Sequence, residues 1–230
     1  MSLTIDDPEF WQWSWAEMGI YDGVANIRMM KERTGAEKVF YVGYSQGNVQ
    51  MFYALAHLEE EFFVDNLYKF VALAPCTICP KIGSESYLEQ SLYAMPSIGV
   101  YSMYGPNWET EYQRVCDELG QTACSYAYCD GCQPVSVLSE THWWQNTYTN
   151  RFQEYAPDYL SGDRIAPLID IGSIDKVPIV MMAGTKDRVC PHKTAKKAAW
   201  TIGDAVERFE SVRAVDHDYF NTANDKWFMR

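Results

Sequence analysis

A serine stands between two glycines in Gly43-Tyr44-Ser45-Gln46-Gly47, directly after the apolar run "KVFYV". A serine hydroxyl is a weak nucleophile until a base removes its proton, so acyl-transfer chemistry here needs a histidine and a carboxylate from elsewhere in the chain. The four histidines differ in setting. His57 falls within the periodic stretch after the serine, His142 in "THWWQ" within the long stretch 84–172, and His192 at a helix start after Pro191. His217, in "AVDHDYF", directly follows an apolar run, where a loop at the end of a strand would present it as a base. Asp187, in "VPIVMMAGTKDRV", lies just beyond another such run, 142 residues after Ser45 and 30 before His217. The chain order Ser, Asp, His is the order used when a nucleophile sits on a strand-to-helix elbow. Asp216 and Asp218 flank the histidine in its own short loop and are read as solvated or locally hydrogen-bonded.

Positioning these groups requires a strand, a sharp turn and a helix. "KVFYV" is a short apolar strand, and "GNVQMFYALAHLEE" has the length and period of a helix. The turn favours residues without Cβ at Gly43 and Gly47, so that strand and helix can pack closely. It lifts the Ser45 hydroxyl at the carboxyl edge of the sheet. The backbone N–H of Gln46, at the helix N-terminus, then points to where an oxyanion would form. The competing reading of Ser45 is a helix N-cap in a nucleotide-type turn.

Further runs read as strands: "LYKFVALAP", "VPIVMMAG" (177–184) and "RFESVRAV" (208–215), with "HKTAKKAAWTIG" a helix between the last two. From Pro8 to about Arg33, apolar residues recur at helical spacing, and "RTGAEK" supplies a glycine stop. Strands separated by helices indicate an α/β fold with a parallel sheet. Residues 84–172 break the alternation and are too long for a plain connection, which implies a helical cap inserted into the sheet domain. The expected organisation is therefore 1–83 and 173–230 as the two parts of the sheet core, with 84–172 as cap.

Composition narrows the partners. The chain has 230 residues, 47% hydrophobic and 22% charged, which suits a sizeable core. A formal charge of −12 repels phosphate backbones and anionic membrane surfaces, so nucleic acid is not an expected partner. No run approaches the length of a membrane span, and "MSLTIDDPEFWQW" lacks the basic and apolar regions of a secretion signal. Four of the seven cysteines crowd into "CDELGQTACSYAYCDGC", a density more usual in oxidised compartments. Cys76-x-x-Cys79 and Cys129-x-x-Cys132 invite comparison with a zinc site, but 49 intervening residues exceed the usual spacing, so neither metal nor organic cofactor is expected.

Several blocks together, "FWQWSWAEMGIYDGVANI", "YVGYSQG", "KFVALAP", "HWWQ", "VPIVMMAGTKD" and "DHDYF", resemble the acid lipases of the gastric and lysosomal type. The resemblance implies an α/β-hydrolase fold that cleaves triacylglycerols or sterol esters, with Ser45, Asp187 and His217 as the triad. It also implies a cap over an apolar acyl site, transient contact with lipid interfaces, a lumenal or secreted setting, and a disulfide near Cys116 and Cys124. With 44 residues ahead of Ser45, the early strands and the loop supplying a second oxyanion donor are expected to be missing. That would leave a sheet edge open to a partner or to the missing segment. The alternative expectation is a catalytically impaired remnant that binds lipid or a partner.

Overall fold

The computed structural model describes residues 3–80, 85–105, 108–120, 123 and 134–222. They form two compact units, one of Met1–Ser14 with Lys81–Ala166 and one of Trp15–Pro80 with Pro167–Arg230.

The second unit is built on a parallel sheet. Numbered along the chain, the strands are β1 (Val39–Tyr44), β2 (Leu67–Leu73), β3 (Ser102–Met103), β4 (Val135–Ser136), β5 (Ile179–Gly184) and β6 (Val206–Val212). The sheet has the order β1-β2-β5-β6, every pair parallel, with Gly43 opposite Ala72, Ala72 opposite Met181 and Met181 opposite Phe209. Side chains alternate across it. Phe70, Ala72, Ile179 and Met181 are buried, and Phe52 of the helix Gln46–His57 packs edge-on against Phe70 at 5.3 Å. On the edge strand and its neighbour, Phe40, Val42 and Tyr68 are more than half exposed (63%, 60% and 51%).

Three elements differ from the periodicity. The run from Pro8 is not one helix: a 3-10 turn (Pro8–Trp11), a short helix (Trp15–Glu17), a π segment (Met18–Gly23) and the helix Val24–Thr34 replace it. Gly19 explains part of the break. A Cβ there would lie 2.3 Å from the Gln50 backbone oxygen, so two backbones touch where a regular side chain would hold them apart. The last strand ends at Val212 rather than Val215, because Ala214 turns into the left-handed region (φ 65°) and Val215 O accepts from Lys186 N–H at 2.9 Å. The helix after Ser45 stops at His57, and a separate helix, Glu60–Asn66, follows.

That helix carries a staple. The buried Glu60 carboxylate accepts from the backbone N–H groups of Val177 (2.8 Å), Lys176 (2.9 Å) and Asp175 (3.3 Å), which fixes the entry to β5. Glu60→Ala strands these donors and is expected to cost about 2–3 kcal/mol. A urea titration checks this; a shift below about 0.5 kcal/mol would contradict it.

The first unit contains the helices Glu85–Ala94, Trp108–Leu119 and Val137–Thr149 and the antiparallel pair β3–β4. Leu92, Met95, Val100, Met103, Val115 and Val137 form its core. Ser136 caps the helix Val137–Thr149: its hydroxyl accepts from Leu138 N–H (3.0 Å) and donates to Trp11 O (2.6 Å). Trp11 thereby binds residues 3–14 into this unit.

Burial raises the carboxyl of Glu140, on that helix, above its ordinary value of 4.5. The folded state therefore holds this proton more tightly than the unfolded chain. The resulting stability is complete below 4.5 and is lost as pH rises through the raised value. Thermal melts of wild type are expected to weaken from pH 5 to pH 7 more than those of Glu140→Gln. Parallel pH profiles would contradict this.

Candidate active site

Ser45 joins β1 to the helix Gln46–His57 with φ 52° and ψ −118°, a strained conformation for a residue with a Cβ. The strain is held by hydrogen bonds on both sides. Ser45 N–H donates to Leu73 O on β2 (3.1 Å), and the buried Asn48 amide donates to Ser45 O (3.1 Å) and Leu73 O (2.8 Å). Gly43 leaves the space: a Cβ there would sit 2.6 Å from Asn48 Oδ1 and 3.1 Å from Asn48 N. Gly47 differs, since a Cβ would meet only Tyr41 Oη, at 3.9 Å. Close packing therefore demands glycine at 43 and not at 47.

The Ser45 side chain makes no capping hydrogen bond to its helix. Its Oγ lies 2.9 Å from His217 Nε2, and His217 Nδ1 lies 2.8 Å from Asp187 Oδ2. Asp187 (7% exposed) and His217 (9%) are both buried. The other Asp187 oxygen accepts from Val189 N–H (2.9 Å) and Cys190 N–H (2.7 Å). A carboxylate that takes three N–H donors acts as acceptor throughout, so His217 carries its proton on Nδ1. Nε2 is then left as the acceptor for the Ser45 hydroxyl. Gln46 opens the helix immediately after Ser45, which puts its N–H in the first helical turn.

The loops come together because their strands are neighbours. Asp187 follows β5 and His217 follows β6; Thr185 N–H to Val212 O (3.0 Å) and Lys186 N–H to Val215 O (2.9 Å) tie the loops to one another. Gly184 permits the approach, since a Cβ there would lie 2.5 Å from Val215 O. An open pocket of about 760 Å³ flanks the acid–base pair, lined by Lys186, Arg188, Asp216 and Asp218 among others.

Sequence alone did not single out Tyr44. Its ring lies tilted against the His217 imidazole (5.1 Å between centroids), and its hydroxyl donates to His217 O (3.2 Å) or Asp218 Oδ1 (3.3 Å). Burial and the nearby carboxylates push its phenol up to about 12, so it remains a neutral donor. Nor did sequence reveal the backbone donors on Asp187, which only the folded loop provides. The remaining histidines have local partners. His142 lies between Ser14 Oγ (3.2 Å) and Gln153 O (2.9 Å), His57 Nδ1 donates to Tyr53 O (2.9 Å), and His192 Nε2 meets Ser211 Oγ (2.8 Å).

Among the described residues, Asp187, Cys190 and His217 form the one cluster with metal-ligand atoms in reach of each other. Cys190 is joined in a disulfide to Cys76, so it offers no thiolate, and the same bond removes Cys76 from a zinc-type pair. Cys116 is disulfide-bonded; Cys124, Cys129 and Cys132 lie outside the described residues. No helix among the described residues is long and apolar enough to cross a membrane.

No family model matches the chain. It is 42% identical to Lipase lipl-3 of Caenorhabditis elegans over 164 residues, covering 68% of this chain and 40% of that one. It is 39% identical to the lysosomal acid lipase/cholesteryl ester hydrolase of Macaca fascicularis over 74 residues, 32% of this chain and 18% of that one. The chain is a homologue of these lipases. A soluble variant of monoglyceride lipase from Saccharomyces cerevisiae shares the fold, with a TM-score of 0.56, 12% identity and coverage of 91% of this homologue and 64% of that chain. The homologue spans 38–40% of the length of the first curated relatives it matches. Its parallel sheet with flanking helices is an α/β-hydrolase fold.

Proposed function

We propose that this chain is a serine ester hydrolase of the lipase type, acting through Ser45, His217 and Asp187. The observation that carries the reading is the continuous relay from Asp187 Oδ2 through His217 to Ser45 Oγ, at 2.8 and 2.9 Å, on a strained elbow. His217 Nε2 takes the hydroxyl proton as Ser45 attacks an ester carbonyl; Asp187 orients the ring and stabilises its charged form. The N–H of Gln46 donates to the developing oxyanion at the helix N-terminus. His217 returns the proton to the leaving alcohol, and water then releases the acid from the acyl-enzyme. The name of the macaque relative, a lysosomal acid lipase/cholesteryl ester hydrolase, supports sterol esters as substrates and a lysosomal setting; triacylglycerols as substrates and a secreted setting belong to the same reading. Residues 84–172 are read as the cap of such an enzyme.

A second reading, a lipid- or partner-binding remnant without turnover, draws on the exposed Phe40, Val42 and Tyr68 along the sheet edge. On that reading, the open edge is the seat of a partner or of further lipase polypeptide. Hydrolysis of short and long p-nitrophenyl esters by wild type and Ser45→Ala separates the two. Turnover that falls to background in the variant supports the enzyme; equal rates overturn it.

A further inference from the structure

Three sulfurs meet beside the acid of the triad. Cys76 and Cys79 lie in the loop after β2, and Cys190 lies in the loop after β5, where Cys76 and Cys190 form a disulfide. The Cys79 thiol is half-buried, and its Sγ lies 3.5 Å from Cys76 Sγ, at sulfur–sulfur contact. The bond reaches directly into the site, because Cys190 N–H and Val189 N–H both hold Asp187 Oδ1, at 2.7 and 2.9 Å. The disulfide therefore ties the loop that orients Asp187 to the end of β2.

We propose that Cys76, Cys79 and Cys190 form a thiol–disulfide exchange site that sets the position of Asp187. The Cys79 thiol gives its proton to solvent, and the thiolate attacks Cys76 Sγ. The Cys76–Cys190 bond breaks, a Cys76–Cys79 disulfide forms, and Cys190 leaves as a thiolate that takes a proton from solvent. One disulfide and one thiol stand on each side, so the step needs no oxidant or reductant. The two-residue spacing of Cys76-x-x-Cys79 suits closure of a short disulfide loop, as in redox-active pairs of this spacing. After exchange, the loop keeps its hydrogen bonds at Thr185 and Lys186, but residues 188–191 lose their covalent tie to the loop after β2, and the amides of Val189 and Cys190 are less firmly held on the carboxylate. The effect on turnover rests on the triad proposed above; the exchange itself does not.

The test holds the full chain at pH 8.5, where a thiol is about half ionised, then acid-quenches, alkylates and maps unreduced tryptic peptides by mass spectrometry. Wild type is expected to accumulate a Phe70–Lys81 peptide with an internal Cys76–Cys79 bond, together with alkylated Cys190. Cys79→Ser is expected to keep Cys76 joined to Cys190 throughout. Ester hydrolysis should fall at least about tenfold in the exchanged wild type, in step with Cys190 alkylation, and stay constant in Cys79→Ser. Persistence of Cys76–Cys190 in wild type, with Cys79 as the alkylated thiol, overturns the exchange. Exchange without loss of hydrolysis in an active preparation overturns the control of Asp187. A chain with no hydrolysis at any time contradicts the triad reading alone, since the peptide map still reports the exchange.

Discussion

Asp187→Asn is expected to lower ester turnover by about 10³- to 10⁴-fold while leaving the fold intact. The carboxylate accepts three N–H donors, two of them from the backbone of Val189 and Cys190. An asparagine at this position keeps an oxygen for the two backbone donors and turns its NH₂ toward His217. Nδ1 must then accept, and the ring proton moves to Nε2, where it faces Ser45 Oγ. The base can no longer take the serine proton, although distances and packing hardly change. Turnover measured beside circular dichroism checks this; a variant with more than about a tenth of wild-type turnover would show that Asp187 does not set the tautomer.

Gly43→Ala is expected to destabilise the chain by about 3 kcal/mol and to reduce turnover of the folded fraction, whereas Gly47→Ala should stay within about 1 kcal/mol of wild type. An alanine at 43 would press on Asn48 Oδ1 at 2.6 Å. Asn48 is fully buried, and its amide holds both Ser45 O and Leu73 O, so it cannot move without releasing the elbow. The same methyl at 47 finds only Tyr41 Oη at ordinary contact distance. Chemical denaturation of the two variants side by side checks the contrast. Equal losses at both positions would mean that helix propensity, rather than the approach of Asn48, governs this turn.

Local signals carried much of the fold. The apolar run ending at Tyr44 and the helical period that follows are short-range features, and they yield the β1–turn–helix order directly. Because β2, β5 and β6 are also apolar runs separated by helices, their carboxyl ends could be read as sharing one edge, with Asp187 and His217 just beyond two of them. What sequence could not supply is long-range. The π segment at Met18–Gly23 arises where Gly19 meets the Gln50 backbone, a contact between elements that no periodicity encodes. The Cys76–Cys190 bond spans 114 residues and follows from the adjacency of β2 and β5 rather than from cysteine spacing. Tyr44 carries no signal of its own between glycine and serine, and its contact with His217 appears only in the folded chain. The association of residues 3–14 with the unit of Lys81–Ala166 depends on Trp11 and Ser136, 125 residues apart.

The central claim is that Ser45 is a nucleophile activated by His217. Incubation with a fluorophosphonate ester, followed by peptide mapping, tests it without reference to the natural substrate. The expected result is one phosphonylated residue, Ser45, at near-stoichiometric yield in wild type and strongly reduced in His217→Ala. Absence of label at Ser45 in a folded preparation, or equal labelling in the histidine variant, would contradict it.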